Sequence, residues 1–366
     1  MLIRESLSLR LVLILLLATS RGITFAQSLR DDADHRKILV GAAVNPALFA
    51  EAPYASTLMR EFNMVEPENV MKWGAVRPAQ DKFNFGPGDE VVAFAQSHEM
   101  KVRGHCLLWS EHNPAWLSKG SFTPEQLSNL LREHITTVMK HYSGRVFAWD
   151  VVNEAFLANG AIEPFIWYDS PGIGFAGKGT AYIEQALRWA RAADPKALLF
   201  YNDYDTEGLN AKSDAVYTMA KDFKKRGVPI DGVGIQAHIF NFDMKEISSL
   251  AANLARLTAL SVQVHITEMD IALPLDARVR YWTRRPWPGK RTSIDSLQRP
   301  VCNSRAAPLS RRGGSRTSTV GFRVTQKGRK EGHCFSIRFT RRNRLTTLCA
   351  KCWNGSVKTQ APVHES

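Results

Sequence analysis

Cysteine is scarce in most of this 366-residue sequence, and only Cys106 of its five cysteines precedes residue 300. A lone cysteine excludes an internal disulfide framework for that part of the chain. The other four lie near the end: Cys302, Cys334, Cys349 and Cys352. The last two have zinc-knuckle spacing, but one such pair beside a single His333 is a weak metal signal. We therefore expect no metal and no other cofactor.

Long hydrophobic runs are also missing, apart from LVLILLLA at residues 11–18. This run is too short to span a membrane, follows the basic Arg4 and Arg10, and precedes a small-residue cleavage signal ending at Ala26. We expect residues 1–26 to be a secretory signal peptide, the alternative being a buried helix. The protein is then secreted, to the extracellular space or the periplasm, with no membrane attachment after cleavage.

Acidic residues are almost absent from the last quarter of the chain. Residues 27–276 hold 24 Lys or Arg against 31 Asp or Glu, whereas residues 277–366 hold 21 against three. The formal net charge of +13 is therefore a property of the tail and does not describe an acidic body. A basic tail raises the alternative of a nucleic-acid-binding arm, but arginine alone is insufficient without a folded module, so we expect no nucleic acid partner.

No glycine-rich phosphate fingerprint follows the first apolar run, which disfavours a nucleotide-binding sheet. Short apolar runs instead alternate with helical patterns through residues 38–276. Seven of these runs read as buried strands, beginning at Ile38, Phe62, Lys101, Val146, Ala197, Gly232 and Ser261. This alternation predicts an α/β fold, a (β/α)8 TIM barrel whose last β/α unit is missing or scrambled.

Two carboxylates stand at the ends of separate predicted strands. Glu154 closes the fourth in WDVVNEAF, and Glu268 closes the seventh in HITEMD. Barrel enzymes place their reacting groups at the carboxyl ends of the strands, so both should face one cavity. Two carboxylates roughly 5 Å apart are the arrangement of a retaining glycosidase. Either glutamate alone would more often be a solvated surface residue.

The motifs ENVMKW, RGHCLLW, WDVVNEAF, YNDY, GIQAHI and ITEMDI occur in an order and spacing that resemble glycoside hydrolase family 10, the secreted endo-β-1,4-xylanases. The resemblance covers about residues 38–275. It implies that Glu154 is the acid/base, that Glu268 is the nucleophile, and that the substrate is xylan or xylooligosaccharides. It also implies that His238 hydrogen-bonds Glu268 and keeps it ionised. Further sugar contacts are implied for Glu68, Asn69, Lys72, His105, Trp109, Asn153, Asn202 and Gln236.

One departure from the family lies inside the matched region. Ser110, Glu111 and His112 stand where many relatives carry His, Ser and Gln, so we carry no roles across for these three.

The tail is a larger departure, because the eighth strand of the family, with its TWGFTDKYSW motif, is not present after Leu275. Reading RRGGSRTSTVGFR, residues 311–323, one base out of register permits TWGFTDKYSWVP, and three other tail segments yield family-like text in the same way. Our hypothesis is a one-base frame slip between about residues 275 and 289. A seven-stranded barrel leaves two edges unpaired, so we expect the chain to fold poorly and residues 277–366 to be a disordered basic tail. We also expect this chain to release little or no reducing sugar from xylan and repair of the frame to restore activity.

Three functions remain open at this stage. The first is a secreted retaining endo-xylanase, expected to be a monomer, with residues 27–276 as its incomplete catalytic barrel. The second is an inactive, truncated carbohydrate-binding relative that keeps the cleft without turnover. The third is nucleic-acid binding by the basic tail.

Overall fold

A computed structural model of the protein describes residues 28–239 and 244–271 and three strands of the tail, with side chains for residues 28–239 and 249–270. The predicted signal peptide, residues 1–26, lies outside the described residues. Among the helices that are described, none is long and apolar enough to cross a membrane.

Parallel strands form a closed barrel. All seven predicted strands are confirmed: β1 Leu39–Val44, β2 Met64–Pro67, β3 Lys101–Leu108, β4 Ala148–Asn153, β5 Leu198–Asp203, β6 Gly232–Ile235 and, after the two-residue β7 His238–Ile239, β8 Gln263–Ile271. Each of β1 to β5 pairs in parallel with the next strand, and β6 pairs in parallel with β8. A ninth strand, β9 Thr319–Arg323, pairs with both β8 and β1 and completes the ring.

Helices connect the strands on the outside of the barrel. Their bounds are α1 Leu29–Arg36, α2 Ala52–Glu61, α3 Trp73–Val76, α4 Gly86–Ser97, α5 Ala115–Ser118, α6 Pro124–Tyr142, α7 Ala181–Ala193, α8 Ala211–Arg226 and α9 Met244–Ala259, with a 3-10 turn at Pro46–Leu48. Local sequence sets several ends. Thr123 and Gln126 form a capping box at the start of α6, and Gly227 ends α8 in the left-handed conformation that glycine tolerates.

The barrel interior is tightly packed around β3 and β4. Every residue of β4 is buried, and the Trp149 ring lies against Gly104 of β3 so closely that an added Cβ would approach it to 2.3 Å. Below the strand ends the interior also holds charge, because the guanidinium of Arg103 pairs with the carboxylates of Asp150 and Glu66. This buried ion cluster, which we call the floor of the site, lies beneath the side chains at the strand ends.

The tail differs from our expectation in one respect. We predicted that no tail segment would pair with the open sheet edges, and this is wrong for Thr319–Arg323, which fits between β1 and β8. Val320 and Phe322 alternate with Gly321 and Arg323 there, a two-residue period too short to stand out among the surrounding polar residues. Two further tail strands, Ser336–Arg341 and Arg344–Cys349, pair antiparallel with each other. The other tail residues, for which we predicted disorder, lie outside the described residues.

Candidate active site

A cavity of about 350 Å³ opens at the carboxyl ends of the barrel strands. Of the eleven side chains predicted for the site, nine line it: Glu68, Asn69, Lys72, His105, Trp109, Glu154, Gln236, His238 and Glu268. The remaining two, Asn153 and Asn202, are fully buried directly beneath. A second depression of about 400 Å³ near Phe122 and Leu130 is remote from every predicted site residue and has no paired carboxylates converging on it.

Three donors hold the carboxylate of Glu154. The indole Nε1 of Trp109 donates to its Oε2 at 3.0 Å, and its Oε1 accepts from Gln236 Nε2 at 2.7 Å and from Asn153 Nδ2 at 3.0 Å. These donors come from β3, β4 and the end of β6, so the barrel itself sets the direction of the carboxylate. The backbone of Glu154 is left-handed, with φ of 55°.

Glu268 is held by an amide and an imidazole. Asn202 Nδ2 donates to its Oε1 at 3.1 Å, and His238 Nε2 lies 3.4 Å from its Oε2. The same Nδ2 donates to Asn153 Oδ1 at 2.9 Å, while Asn202 Oδ1 accepts from the Thr267 hydroxyl at 2.7 Å. Because the ionised carboxylate of Glu268 can only accept, the nitrogen of the Asn202 amide must face it, and this settles the orientation of the amide. Asn202 therefore links the surroundings of both carboxylates.

His238 lies between two carboxylates. Its Nδ1 is 2.7 Å from Asp270 Oδ1, in addition to the contact of its Nε2 with Glu268. Burial by itself lowers the pKa of His238, but hydrogen bonds with Asp270 and Glu268 outweigh that effect and raise it to about 9. At neutral pH the ring is a cation that donates from both nitrogens and favours the ionised form of Glu268.

His105 contacts both carboxylates of the buried ion cluster. Its Nδ1 is 3.0 Å from Asp150 Oδ2 and 3.7 Å from Glu66 Oε1. Burial raises the pKa of Glu66 to about 7, against the pull of the neighbouring Arg103. Burial opposes a charge on His105, yet hydrogen bonds with Asp150 and Cys106 contribute to a pKa well above the usual value.

Glu66, His105 and Glu268 offer ligand atoms within 4.8 Å of one another. Among the described residues this is the group with the spacing of a metal site. Arg103 already pairs with Glu66, and His238 with Glu268, so the carboxylates have cationic partners within the protein. Cys349 and Cys352, whose spacing was a weak metal signal, lie outside the described side chains.

The loop after β2 builds one side of the cavity. Lys72 is buried, with its Nζ 3.0 Å from Asn69 Oδ1 and 5.0 Å from the centre of the Trp109 ring. On Trp109 the imidazole of His112 also stacks, with 5.1 Å between ring centres and 20° between planes. The result is a wall of amide, ammonium and aromatic groups, which suits the hydroxyls and ring faces of a neutral sugar.

The sequence analysis missed several residues that contribute to the site. It did not identify Glu66, Asp150 or Thr267, which form the floor and the support of Asn202. Glu66 stands two residues before the predicted Glu68, and its position on a buried strand was the available signal. Tyr204, also in the YNDY motif, is 38% exposed, and its ring centre lies 3.3 Å from Lys212 Nζ. It does not line the cavity.

The closed parallel barrel, with two carboxylates on separate strands facing one polar and aromatic cavity, is the architecture of the glycoside-hydrolase class of (β/α)8 barrels. Within that class, the match to glycosyl hydrolase family 10 spans residues 28–291. The chain belongs to this family.

Individual relatives agree with this assignment. Endo-1,4-beta-xylanase B of Thermotoga neapolitana is 43% identical over 234 residues, 63% of this chain and 65% of that protein. A beta-1,4-xylanase of Dictyoglomus thermophilum is 37% identical over 287 residues, 75% of this chain and 76% of that protein. The crystal structure of xylanase 10B from Thermotoga petrophila in complex with xylobiose superposes with a TM-score of 0.69 at 34% identity, covering 82% of this chain and 86% of that one. The match to the first of these spans slightly less than two thirds of that relative's length.

Proposed function

We propose that this protein is an endo-1,4-β-xylanase that hydrolyses internal bonds of xylan by a retaining double displacement. The observation that carries the proposal is that Glu154 and Glu268 face one cavity in different hydrogen-bonding environments. The relatives named as xylanases support xylan as the substrate class.

The two carboxyl groups take different parts in this mechanism. Glu154 protonates the oxygen of the departing sugar, while Glu268 attacks the anomeric carbon and forms a covalent glycosyl-enzyme. Water then attacks that carbon as Glu154, now a base, takes the water proton, and Glu268 departs with the electron pair of the broken ester bond. The cationic His238 favours the ionised form of Glu268 before it attacks and stabilises the carboxylate again as it departs.

The stereochemistry of the product tests the mechanism directly. Proton NMR of xylopentaose hydrolysis should show the β-anomer first, with the α-anomer appearing only through mutarotation. If the α-anomer appears first, the mechanism is inverting and the proposal for Glu268 is wrong.

Azide rescue separates the two roles. With an activated aryl β-xylobioside, Glu154→Ala plus azide should give the β-glycosyl azide, because azide then replaces the base-assisted water. Glu268→Ala plus azide should give the α-glycosyl azide by direct displacement. Glu184→Gln, which alters a helix-surface carboxylate paired with Arg188, is the matched control and should keep activity. Exchanged anomers between the two alanine variants would reverse the assignment.

Secretion is part of the proposal and rests on residues 1–26, with their basic start, apolar run and TFA site. The test is expression of the full chain in a secreting host with N-terminal sequencing of the exported protein. A mature protein that starts at Gln27 supports the proposal, and an uncleaved intracellular product contradicts it.

For the tail, we propose that the reading frame slips by one base between about residues 275 and 289. The out-of-register reading of residues 311–323 supports this. Resequencing the gene across these codons tests the proposal. A sequence with no inserted or deleted base in this region would contradict it. If the unrepaired chain binds xylooligosaccharides in calorimetry but releases no reducing sugar, it is the inactive carbohydrate-binding alternative.

A further inference from the structure

Two positions at the strand ends that carry the site have left-handed backbone although neither is glycine. Glu154 has φ of 55°, and Ala237, between Gln236 and His238, has φ of 62°. This region of backbone conformation is uncommon for residues with a side chain, and it persists only where surrounding contacts hold it. Both positions decide where site side chains point, so what holds them bears on catalysis.

The amide next to Glu154 is held from β5. Tyr201 Oη accepts a hydrogen bond from Ala155 N at 2.9 Å and donates to Asp203 Oδ2 at 2.5 Å. Asp203 in turn forms an ion pair with Lys212, its Oδ1 lying 2.7 Å from Nζ. The side chains of Asp203 and Lys212 are at most 1% exposed, and Tyr201 is fully buried. This series of contacts therefore ends at the buried carboxylate of Asp203, which is paired with the ammonium of Lys212.

The amide of Ala237 is held from the loop that follows β5. The buried Glu207 accepts a hydrogen bond from Ala237 N at its Oε1, at 2.8 Å. In the same loop region Asp203 accepts from Gln236 N through its backbone oxygen at 3.0 Å. One segment, residues 201–207, thus fixes the backbone on both sides of the cavity.

We propose that Tyr201, Asp203 and Glu207 are positioning residues, Tyr201 and Asp203 for the acid/base Glu154 and Glu207 for Gln236 and His238. None of the three lines the cavity, so they act through the backbone and not by touching sugar. The proposal rests on the function proposed above and deepens it, because it connects one segment, residues 201–207, to the backbone beside the acid/base and to the backbone beside two residues that contact the carboxylates.

Amide hydrogen exchange tests the positioning without any need for turnover. In the full chain, Tyr201→Phe should speed exchange at Ala155 by about tenfold, because it removes the acceptor of that amide, and leave Ala237 unchanged. Glu207→Ala should speed exchange at Ala237 and leave exchange at Ala155 unchanged. Glu207→Gln keeps an amide oxygen as acceptor, so it should restore protection at Ala237.

Tyr182→Phe is the matched control for Tyr201→Phe. Tyr182 is also fully buried, lies on α7, and its hydroxyl has no hydrogen-bond partner among the described residues. The same loss of a hydroxyl there should leave exchange at Ala155 unchanged. Equal exchange at Ala155 in both variants would overturn the proposal.

Leaving-group dependence tests the catalytic consequence. A dinitrophenyl leaving group departs without protonation, whereas a xylose leaving group needs the acid. Tyr201→Phe should therefore lower kcat/KM about tenfold on xylopentaose but less than about twofold on dinitrophenyl β-xylobioside. Glu207→Ala should lower both values, because His238 contacts the nucleophile Glu268, which attacks either substrate.

The possible failures are distinguishable. If Tyr201→Phe lowers kcat/KM equally on both substrates, its role is general stability and the proposal is wrong. If the unaltered chain cleaves neither substrate, the proposed function fails, while the exchange measurements still decide whether these residues hold the two backbone positions.

Discussion

A second carboxylate beside Glu268 should disable the nucleophile at acidic pH, and Asn202→Asp would introduce one. Asn202 Nδ2 lies 3.1 Å from Glu268 Oε1, so the new carboxylate oxygen would replace a donor at that distance. Two unit charges at about 3 Å repel by about 5 kcal/mol at an effective dielectric constant of about 20, which corresponds to about 4 pKa units. The Glu268 side chain is 13% exposed, and water in the cavity screens part of this repulsion.

We therefore expect the acid limb of the kcat/KM profile to move upward by about 2 pH units in Asn202→Asp, since the pair holds one shared proton over that range. The assay is initial-rate hydrolysis of an aryl β-xylobioside between pH 4 and 9. Asn202→Ala is the control, because it removes the same donor without adding charge. It should lower kcat/KM by about 10- to 100-fold and move the limb upward far less than Asn202→Asp does, because it removes one hydrogen bond to the ionised Glu268 without adding a charge. An unshifted acid limb in Asn202→Asp would refute the placement of Asn202 against the nucleophile.

Three further predictions concern the buried ion cluster around Arg103, the imidazole of His238 and strand β9. Arg103→Met should lower the free energy of unfolding, measured in urea, by about 3–5 kcal/mol, because it leaves buried carboxylates without their cationic partner. Arg188→Met, at an exposed ion pair, should lower the free energy of unfolding by under about 1 kcal/mol. The pKa of His238 is raised from 6.5 to about 9, so its contribution to stability is complete below pH 6.5 and is lost as pH rises through 9. The Tm of the unaltered chain should thus fall more between pH 6.5 and 9.5 than that of His238→Gln, and equal falls would contradict the pairing. Gly321→Pro removes a backbone donor from β9 and should lower Tm, whereas the unchanged Tm of such a variant would show that Thr319–Arg323 does not close the barrel.

The repeating strands and helices were predictable because each is a local pattern. The run beginning at Lys101 was predicted as a buried strand, and it forms β3, Lys101–Leu108, in which every residue after Lys101 is buried. The helix after Thr123 begins where a capping box and a proline predict. The placement of Glu154 and Glu268 at one cavity also follows from sequence, because parallel strands of a barrel bring their carboxyl ends to a single face.

Side-chain partnerships between distant strands were not predictable in this way. Arg103, Asp150 and Glu66 come from three strands, and which of them meet depends on strand register and on the direction each side chain takes inside the barrel. The sharing of Asn202 between Asn153 and Glu268 has the same origin.

The sequence by itself determined the alternation of elements, the barrel class and the residues that carry chemistry, since periodicity, caps and motifs are properties of neighbouring residues. Only the tertiary structure decided how Tyr201 and Glu207 hold the backbone of Ala155 and Ala237, and that Thr319–Arg323 pairs between β1 and β8. The physical reason is that these contacts join residues far apart in the chain. Their geometry exists only when the barrel has closed and its unpaired edges have found a partner.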